Sequence, residues 1–290
     1  MKKFEGTGVA IVTPFKNDLS IDFSAMEILI ENLILKEVDY LVVMGTTGES
    51  ATLTKEEKKQ IKEFVIDKNK NRLPIVLGIG GNCTKEIVET IKNTDFQSID
   101  AILSVSPYYN KPQQDGIFLH YKAIADASPL PIILYNVPSR TSVNISYSTT
   151  LRIAKACKNV IGIKEASGNL EQISNILKYK NKDFLVISGD DTLTLALIAM
   201  GASGVISVTA NALPYEYSQM TRACLDGNFK KARKINFEIF EIIETLFQDG
   251  NPSGIKASLK ILGIIKNNLR LPLVKVKKEV YLKLKNLLKK

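Results

Sequence analysis

Pro131-Ile132-Ile133-Leu134-Tyr135, then Val160-Ile161-Gly162-Ile163-Lys164, are the stretches on which the fold turns. Each is too short for a globular helix. Each is almost continuously apolar, where a half-buried strand would alternate. Near-continuous hydrophobicity marks strands covered on both faces, as in a parallel sheet. Six more such runs flank them: Gly8 to Val12, Tyr40 to Met44, Pro74 to Gly78, Ala101 to Val105, Phe184 to Ser188 and Gly204 to Val208. Helical patterns with polar faces lie between. Asp22 to Glu37 carries Phe23, Met26, Ile30, Leu33 and Ile34 on one stripe, and Thr84 to Asn93 opens with Thr84, with Glu86 and Glu89 in its early turns. Eight strands alternating with helices, one unit per roughly thirty residues, predict a (β/α)8 TIM barrel. An open doubly wound sheet favours a glycine-rich loop after its first strand, but Thr13-Pro14-Phe15 stands there. The expected organisation is a barrel over residues 1–213. Residues 214–290 then supply the last barrel helix and a C-terminal helical lobe.

Composition removes other classes. The 290 residues are 45% apolar and 24% charged, a globular mix. A chain of this length buries roughly three quarters of its unfolded surface, enough for a core without staples. No apolar run reaches the roughly eighteen residues of a membrane helix. Met1 to Gly6 lacks a signal-peptide apolar region, so the expected location is the cytoplasm. Cys83, Cys157 and Cys224 have no metal-ligand spacing, and one histidine cannot build a multi-histidine metal site. A hydrolase triad would need His120 as its base. Gly116 to Tyr121 reads as a helix, with His120 expected on its surface. The net charge of +9 raises nucleic acid as a partner, yet the lysines are interspersed with glutamates, as in Lys55-Glu56-Glu57-Lys58-Lys59. In the basic C-terminal stretch Val280, Leu284, Leu287 and Leu288 form one helical stripe, expected to dock on the protein itself. Neither nucleic acid nor membrane is an expected partner.

In a (β/α)8 barrel the active site lies at the C-terminal ends of the strands. The segments just beyond the apolar runs are polar: Gly45-Thr46-Thr47-Gly48-Glu49-Ser50, Gly80-Gly81-Asn82, Ser106-Pro107-Tyr108-Tyr109-Asn110 and Asn136-Val137-Pro138-Ser139-Arg140. Glu165-Ala166-Ser167-Gly168-Asn169, Ser188-Gly189-Asp190-Asp191 and Thr209-Ala210-Asn211 stand at the ends of the later runs. Lys164 closes a buried strand, where desolvation disfavours an ammonium and leaves free amine to attack a carbonyl. A pair with Glu165, or a reach to solvent, is the plainer reading. Tyr135 ends the neighbouring strand with a phenol that can relay protons alongside Thr46, Thr47 and Tyr109; it can also be a core tyrosine. Arg140 suits bidentate carboxylate binding, or is a surface loop arginine. Gly45 to Ser50 lacks the lysine and spacing of a P-loop. Lysine, phenol, hydroxyls and arginine together, without metal or cofactor, point to a Schiff-base aldolase or lyase acting on a small carboxylate.

At these residues the chain resembles the dihydrodipicolinate synthase family, pyruvate-dependent Schiff-base-forming lyases, over nearly its whole length. Six blocks carry the likeness: Gly45 to Leu53, Pro107 to Pro112, Tyr135 to Thr141, Gly162 to Asn169, Ser188 to Asp191 and Gly204 to Asn211. The resemblance implies that Lys164 forms an imine with pyruvate and that the derived enamine attacks aspartate semialdehyde. It implies a proton relay of Tyr135, Thr47 and Tyr109, the last lent by a neighbouring subunit, and hence a homo-oligomer, a tetramer built as a dimer of dimers. Arg140 would hold the semialdehyde carboxylate, while Thr46, Gly189 and Ile206 line the pyruvate site. N-acetylneuraminate lyases and 2-keto-3-deoxy sugar acid aldolases share the barrel, lysine and tyrosine, but Pro138-Ser139-Arg140-Thr141 favours the synthases. In lysine-inhibited relatives an effector site matches Ser50, Ala51, Lys55, Lys58, Asn82, Glu86 and Tyr108. Strongly inhibited ones tend to carry histidine where this chain has Lys58. A lysine there repels an ammonium-bearing effector, so weak or absent inhibition is expected.

Overall fold

The computed structural model describes residues 2–289. Eight strands, β1 (Gly6–Ala10), β2 (Tyr40–Val43), β3 (Ile75–Gly78), β4 (Ala101–Val105), β5 (Ile132–Asn136), β6 (Val160–Glu165), β7 (Leu185–Ser188) and β8 (Gly204–Ser207), close into a parallel barrel in sequence order. The helices are α1 (Phe23–Leu35), α2 (Lys55–Asn69), α3 (Thr84–Lys92), α4 (Gln114–Ala127), α5 (Pro138–Thr141), α6 (Tyr147–Ala156), α7 (Leu170–Tyr179), α8 (Thr194–Ala199) and α9 (Pro214–Leu225). After these come α10 (Phe229–Phe247), α11 (Ser253–Ile261) and α12 (Lys278–Leu287). No helix among the described residues is long and apolar enough to cross a membrane.

All eight expected strands are present, and the first is displaced towards the N-terminus. It starts at Gly6, which pairs with Gly204, whose backbone lies against it too closely for a Cβ. Glycine is a poor strand former, so this pairing is invisible to a search for Val and Ile.

Side-chain alternation divides the core in two. Tyr40, Val42, Val76, Leu103, Ile133, Leu185, Ile187 and Ile206 fill the barrel interior. Leu41, Val43, Ile102, Leu134, Ile163, Val186 and Val205 face the helices. The absence of a side chain at Gly8 makes room for the Tyr40 ring, whose hydroxyl donates to the Val205 carbonyl at 3.2 Å.

Helix starts obey local chemistry. Asp22 accepts from Ala25 N at 3.2 Å, and Thr54 and Glu57 form a reciprocal capping box on α2, each such cap contributing about 1 kcal/mol. Thr84 begins α3 but does not cap it. Its hydroxyl lies 2.8 Å from His120 Nδ1 on α4. This corrects the expected surface histidine: His120 is buried between α3 and α4, and burial lowers its pKa to about 4. The helical stripe places His120 on the same buried face as Ile117, Tyr121 and Ile124.

The C-terminal helices pack on one another, and α12 buries Val280 and Leu284 against α10 and α11, as its stripe predicts. Helix α11 packs on the 3-10 turn Thr209–Asn211 beyond β8, at the mouth of the barrel.

Candidate active site

Strand alternation decides where Lys164 points. Ile163 faces the helices, so Lys164 enters the barrel, opposite Tyr135 in register. Its side chain is 6% exposed and its Nζ lies 4.3 Å from the centre of the Tyr135 ring. On the other flank, a Cβ at Gly189 would lie 3.0 Å from Lys164 Cε and 2.7 Å from the Ala166 Cβ. Glycine there leaves the lysine stem its room. Ile206 is buried in the lumen wall.

Glu165 is not the partner of Lys164. One residue on, it points to the opposite face. There it accepts from Asn136 Nδ2 at 3.0 and 3.2 Å, Gln172 Nε2 at 3.1 Å and Ser167 N at 2.9 Å. Burial raises its pKa against the lowering effect of these bonds. The network ties the ends of β5 and β6 to α7. It holds the two strands whose last inward residues are Tyr135 and Lys164. Asp191, beyond β7, serves likewise: its Oδ2 accepts from Val208 N, Thr209 N and Thr209 Oγ1 at 2.7–3.0 Å.

The segment after β2 makes a 3-10 turn, Thr46–Gly48, anchored by Thr13 Oγ1 donating to the Gly48 carbonyl at 2.7 Å. Thr47 is buried and Thr46 half-buried. The next residue, Glu49, adopts φ 54°, a left-handed conformation that a non-glycine residue rarely takes. Its carboxylate is buried and forms an ion pair with the equally buried Lys256 of α11, while Arg270 N donates to its Oε2 at 3.1 Å. Lys256 also donates to the Asn268 carbonyl at 2.9 Å and lies over the Phe15 ring. Burial, countered by Glu49, lowers its pKa to about 8.

Arg140, on the short α5 beyond β5, is exposed and donates from Nη2 to the Asn251 carbonyl at 3.2 Å. Asn251 Nδ2 in turn donates to Thr47 Oγ1 at 3.0 Å. Tyr109 behaves differently. It is 88% exposed, at φ 73°, and its hydroxyl makes no hydrogen bond among the described residues. Within one chain the structure therefore gathers Lys164, Tyr135, Gly189 and Ile206 in the lumen and links Thr47 to Arg140, but leaves Tyr109 facing outward.

The suggested effector positions fall in the loops after β2, β3 and β4 and in the first turns of α2 and α3. Ser50 sits in a 3-10 turn and Ala51, Asn82, Glu86 and Tyr108 are exposed. Lys58 is half-buried on α2, and burial and neighbouring Lys55 both lower its pKa. Sequence reasoning missed Asn251 and Lys256. Their signal was a Gly250-Asn251-Pro252 turn and a lysine inside the apolar run Ile255 to Leu259, in a region read only as lobe helices.

The likeness extends to whole chains. A sequence profile of the Dihydrodipicolinate synthetase family matches residues 3–290. The 4-hydroxy-tetrahydrodipicolinate synthases of Parabacteroides distasonis and Phocaeicola vulgatus are 53% and 51% identical. The alignments cover 98% and 99% of this chain and 96% of each of those proteins. The crystal structure of dihydrodipicolinate synthase from Aquifex aeolicus superposes with a TM-score of 0.95 at 41% identity, covering 99% of this chain and 97% of that one. The enzyme from Thermotoga maritima gives 0.96 at 38% identity, covering 99% and 98%.

Proposed function

This chain belongs to the dihydrodipicolinate synthetase family, and from that premise we propose how its own side chains carry the reaction. The enzyme condenses pyruvate with L-aspartate 4-semialdehyde to 4-hydroxy-tetrahydrodipicolinate, a step of diaminopimelate and lysine biosynthesis. The observation that carries the residue assignment is the Lys164 amine, enclosed in the lumen against the Tyr135 ring, with Gly189 leaving it space.

Lys164 Nζ adds to the keto carbon of pyruvate, and loss of water gives an imine. The imine draws electrons from the methyl carbon, so that carbon gives up a proton and becomes an enamine. The enamine carbon bonds to the aldehyde carbon of the semialdehyde, whose oxygen takes up a proton. The substrate amine then adds to the imine carbon, expels the Lys164 amine and closes the ring. Each step moves a proton without any change of oxidation state. The Tyr135 phenol and Thr47 hydroxyl relay those protons. Thr46, Gly189 and Ile206 line the pyruvate end, and Arg140 takes the semialdehyde carboxylate with its planar fork.

Tyr109 completes the relay of a neighbouring copy. Its exposure supports this, because the phenol is free to reach a neighbouring copy. The working enzyme is then a homo-oligomer, a tetramer arranged as a dimer of dimers, in the cytoplasm.

Incubation with both substrates tests the reaction. Pyruvate should disappear in step with the semialdehyde, and N-acetylneuraminate should not be cleaved. Cleavage of the sugar acid without condensation would reject the assignment.

A further inference from the structure

The parallel ladder between β5 and β6 is irregular near its start. Ile132 pairs with Val160, but Ile133 pairs with Gly162, and from there each step is regular up to Asn136 and Glu165. The hydrogen bonds at the two ends agree. Ile132 N donates to the Asn159 carbonyl at 2.8 Å, and Ala166 N donates to the Asn136 carbonyl at 2.9 Å. In a regular parallel ladder, with its evenly spaced bonds, Glu165 N would hold that last place. Strand β6 therefore carries one residue more than β5 over the same rise, a β-bulge at Ile161–Gly162. The side chains record the same step. Val160 and Ile163 both face the helices although they stand three residues apart, and strict alternation allows only even separations. Ile161 packs against the lumen cluster.

The bulge decides on which face Lys164 emerges. Counted evenly from Val160, position 164 falls on the helix face and position 163 in the lumen. The extra residue reverses this, so Ile163 faces the helices and Lys164 stands opposite Tyr135. A one-residue slip exchanges the two faces of a strand, so the direction of the amine depends on it. Gly162 is what lets the chain take in the extra residue. It is the first residue of β6 to pair with β7, opposite Leu185. A Cβ at position 162 would lie 2.7 Å from the Leu185 carbonyl oxygen and 2.8 Å from the Leu185 Cβ. The nearest obstacle is main chain of a neighbouring strand, which cannot turn aside as a side-chain tip can. We propose that Gly162 is a positioning residue for the reaction: it admits the β6 bulge that turns the Lys164 amine into the lumen. The proposal rests on Lys164 forming the imine. On this reading the glycine is needed only while the extra residue is present. Without Ile161, Gly162 would follow Val160 in plain alternation, and Lys164 would still meet Tyr135.

The test compares the full-length protein with Gly162→Ala, a deletion of Ile161, and the two combined. Each is incubated with pyruvate, reduced with borohydride and mapped by mass, and urea unfolding reports whether it is folded. Gly162→Ala should form the Lys164 adduct on the order of 100-fold more slowly, the scale of loss for a misplacement of about 1 Å. The deletion should fold and form the adduct on Lys164 at close to the parent rate. Adding Gly162→Ala to the deletion should then cost little, whereas independent effects would lose the same factor in both backgrounds. If Gly162→Ala does not fold, the combined variant decides: an adduct on Lys164 upholds the proposal, and its absence overturns it. Full-rate Gly162→Ala, an equal loss in both backgrounds, or a deletion that is unfolded or slow to form the adduct would overturn the positioning role. A parent chain with no adduct on Lys164 would overturn the imine reading and this proposal with it, whereas a parent adduct beside any of those three results overturns the proposal alone.

Discussion

Arg140 and His120 show how differently two polar residues can be used. Arg140 is exposed, makes one main-chain contact and keeps most of its five donors free, as its proposed grip on the semialdehyde carboxylate requires. Losing a charge-assisted contact costs about 1.5–3 kcal/mol. Arg140→Ala should therefore reduce kcat/KM for the semialdehyde on the order of 10- to 100-fold while pyruvate still forms its imine. Steady-state rates with the semialdehyde varied check this, and an unchanged specificity constant would remove Arg140 from the site. His120 is a packing residue, and its lowered pKa has a definite sign. Burial favours the neutral ring in the folded chain, so between its ordinary value near 6.5 and about 4 the unfolded chain binds more protons. His120 thus supports stability fully above pH 6.5 and loses that support as pH falls through 4. Acidification from pH 7 to 5 should cost about 2 kcal/mol through this group, a loss absent in His120→Asn. As the only histidine, its imidazole resonance reports directly. Titration near 6.5 would contradict the burial.

Among the elements, α11 ties the C-terminal helices to the loop after β2. It carries Lys256 into a fully enclosed ion pair with Glu49, one residue past the Thr46–Gly48 turn. Breaking one side of such a pair strands a charge, at about 3–5 kcal/mol, whereas removing both sides is often nearly neutral. Lys256→Met should therefore destabilise by about that amount and slow turnover by loosening the Thr47 turn. Adding Glu49→Gln should recover much of the stability. Urea unfolding of the two variants measures this, and equal losses in both would show that the pair does not hold the element. The strand elements were largely readable because a covered strand has a strong signature in its apolar residues. Those signatures located the ends of β5 and β6, and so the height of Tyr135 and Lys164. What escaped them were contacts between residues distant in the chain. Nothing local in Asn251 or Lys256 tells that α11 folds back over the loop after β2. Nor does the pattern Lys164-Glu165 reveal that alternation sends the carboxylate to Asn136 and Gln172 rather than to the lysine.

At the scale of the whole molecule, the barrel concentrates one amine at the end of a closed sheet and leaves an aromatic side chain, Tyr109, turned to solvent. Sequence motifs located both, but only the closed barrel shows that one faces inward and the other out. Tyr109 should find its role across a subunit contact. Sedimentation at assay concentration should give a species of at least two subunits, and Tyr109→Phe should slow the reaction without loosening the fold. A fully active monomer would contradict the shared relay. The proposed chemistry as a whole rests on Lys164, and one measurement addresses that residue most directly. The protein is incubated with pyruvate, reduced with borohydride, digested and mapped by mass. The prediction is a single reduced pyruvate adduct, stoichiometric and located on Lys164, that disappears in Lys164→Ala. A stoichiometric adduct on another lysine, or one that persists in Lys164→Ala, would contradict it.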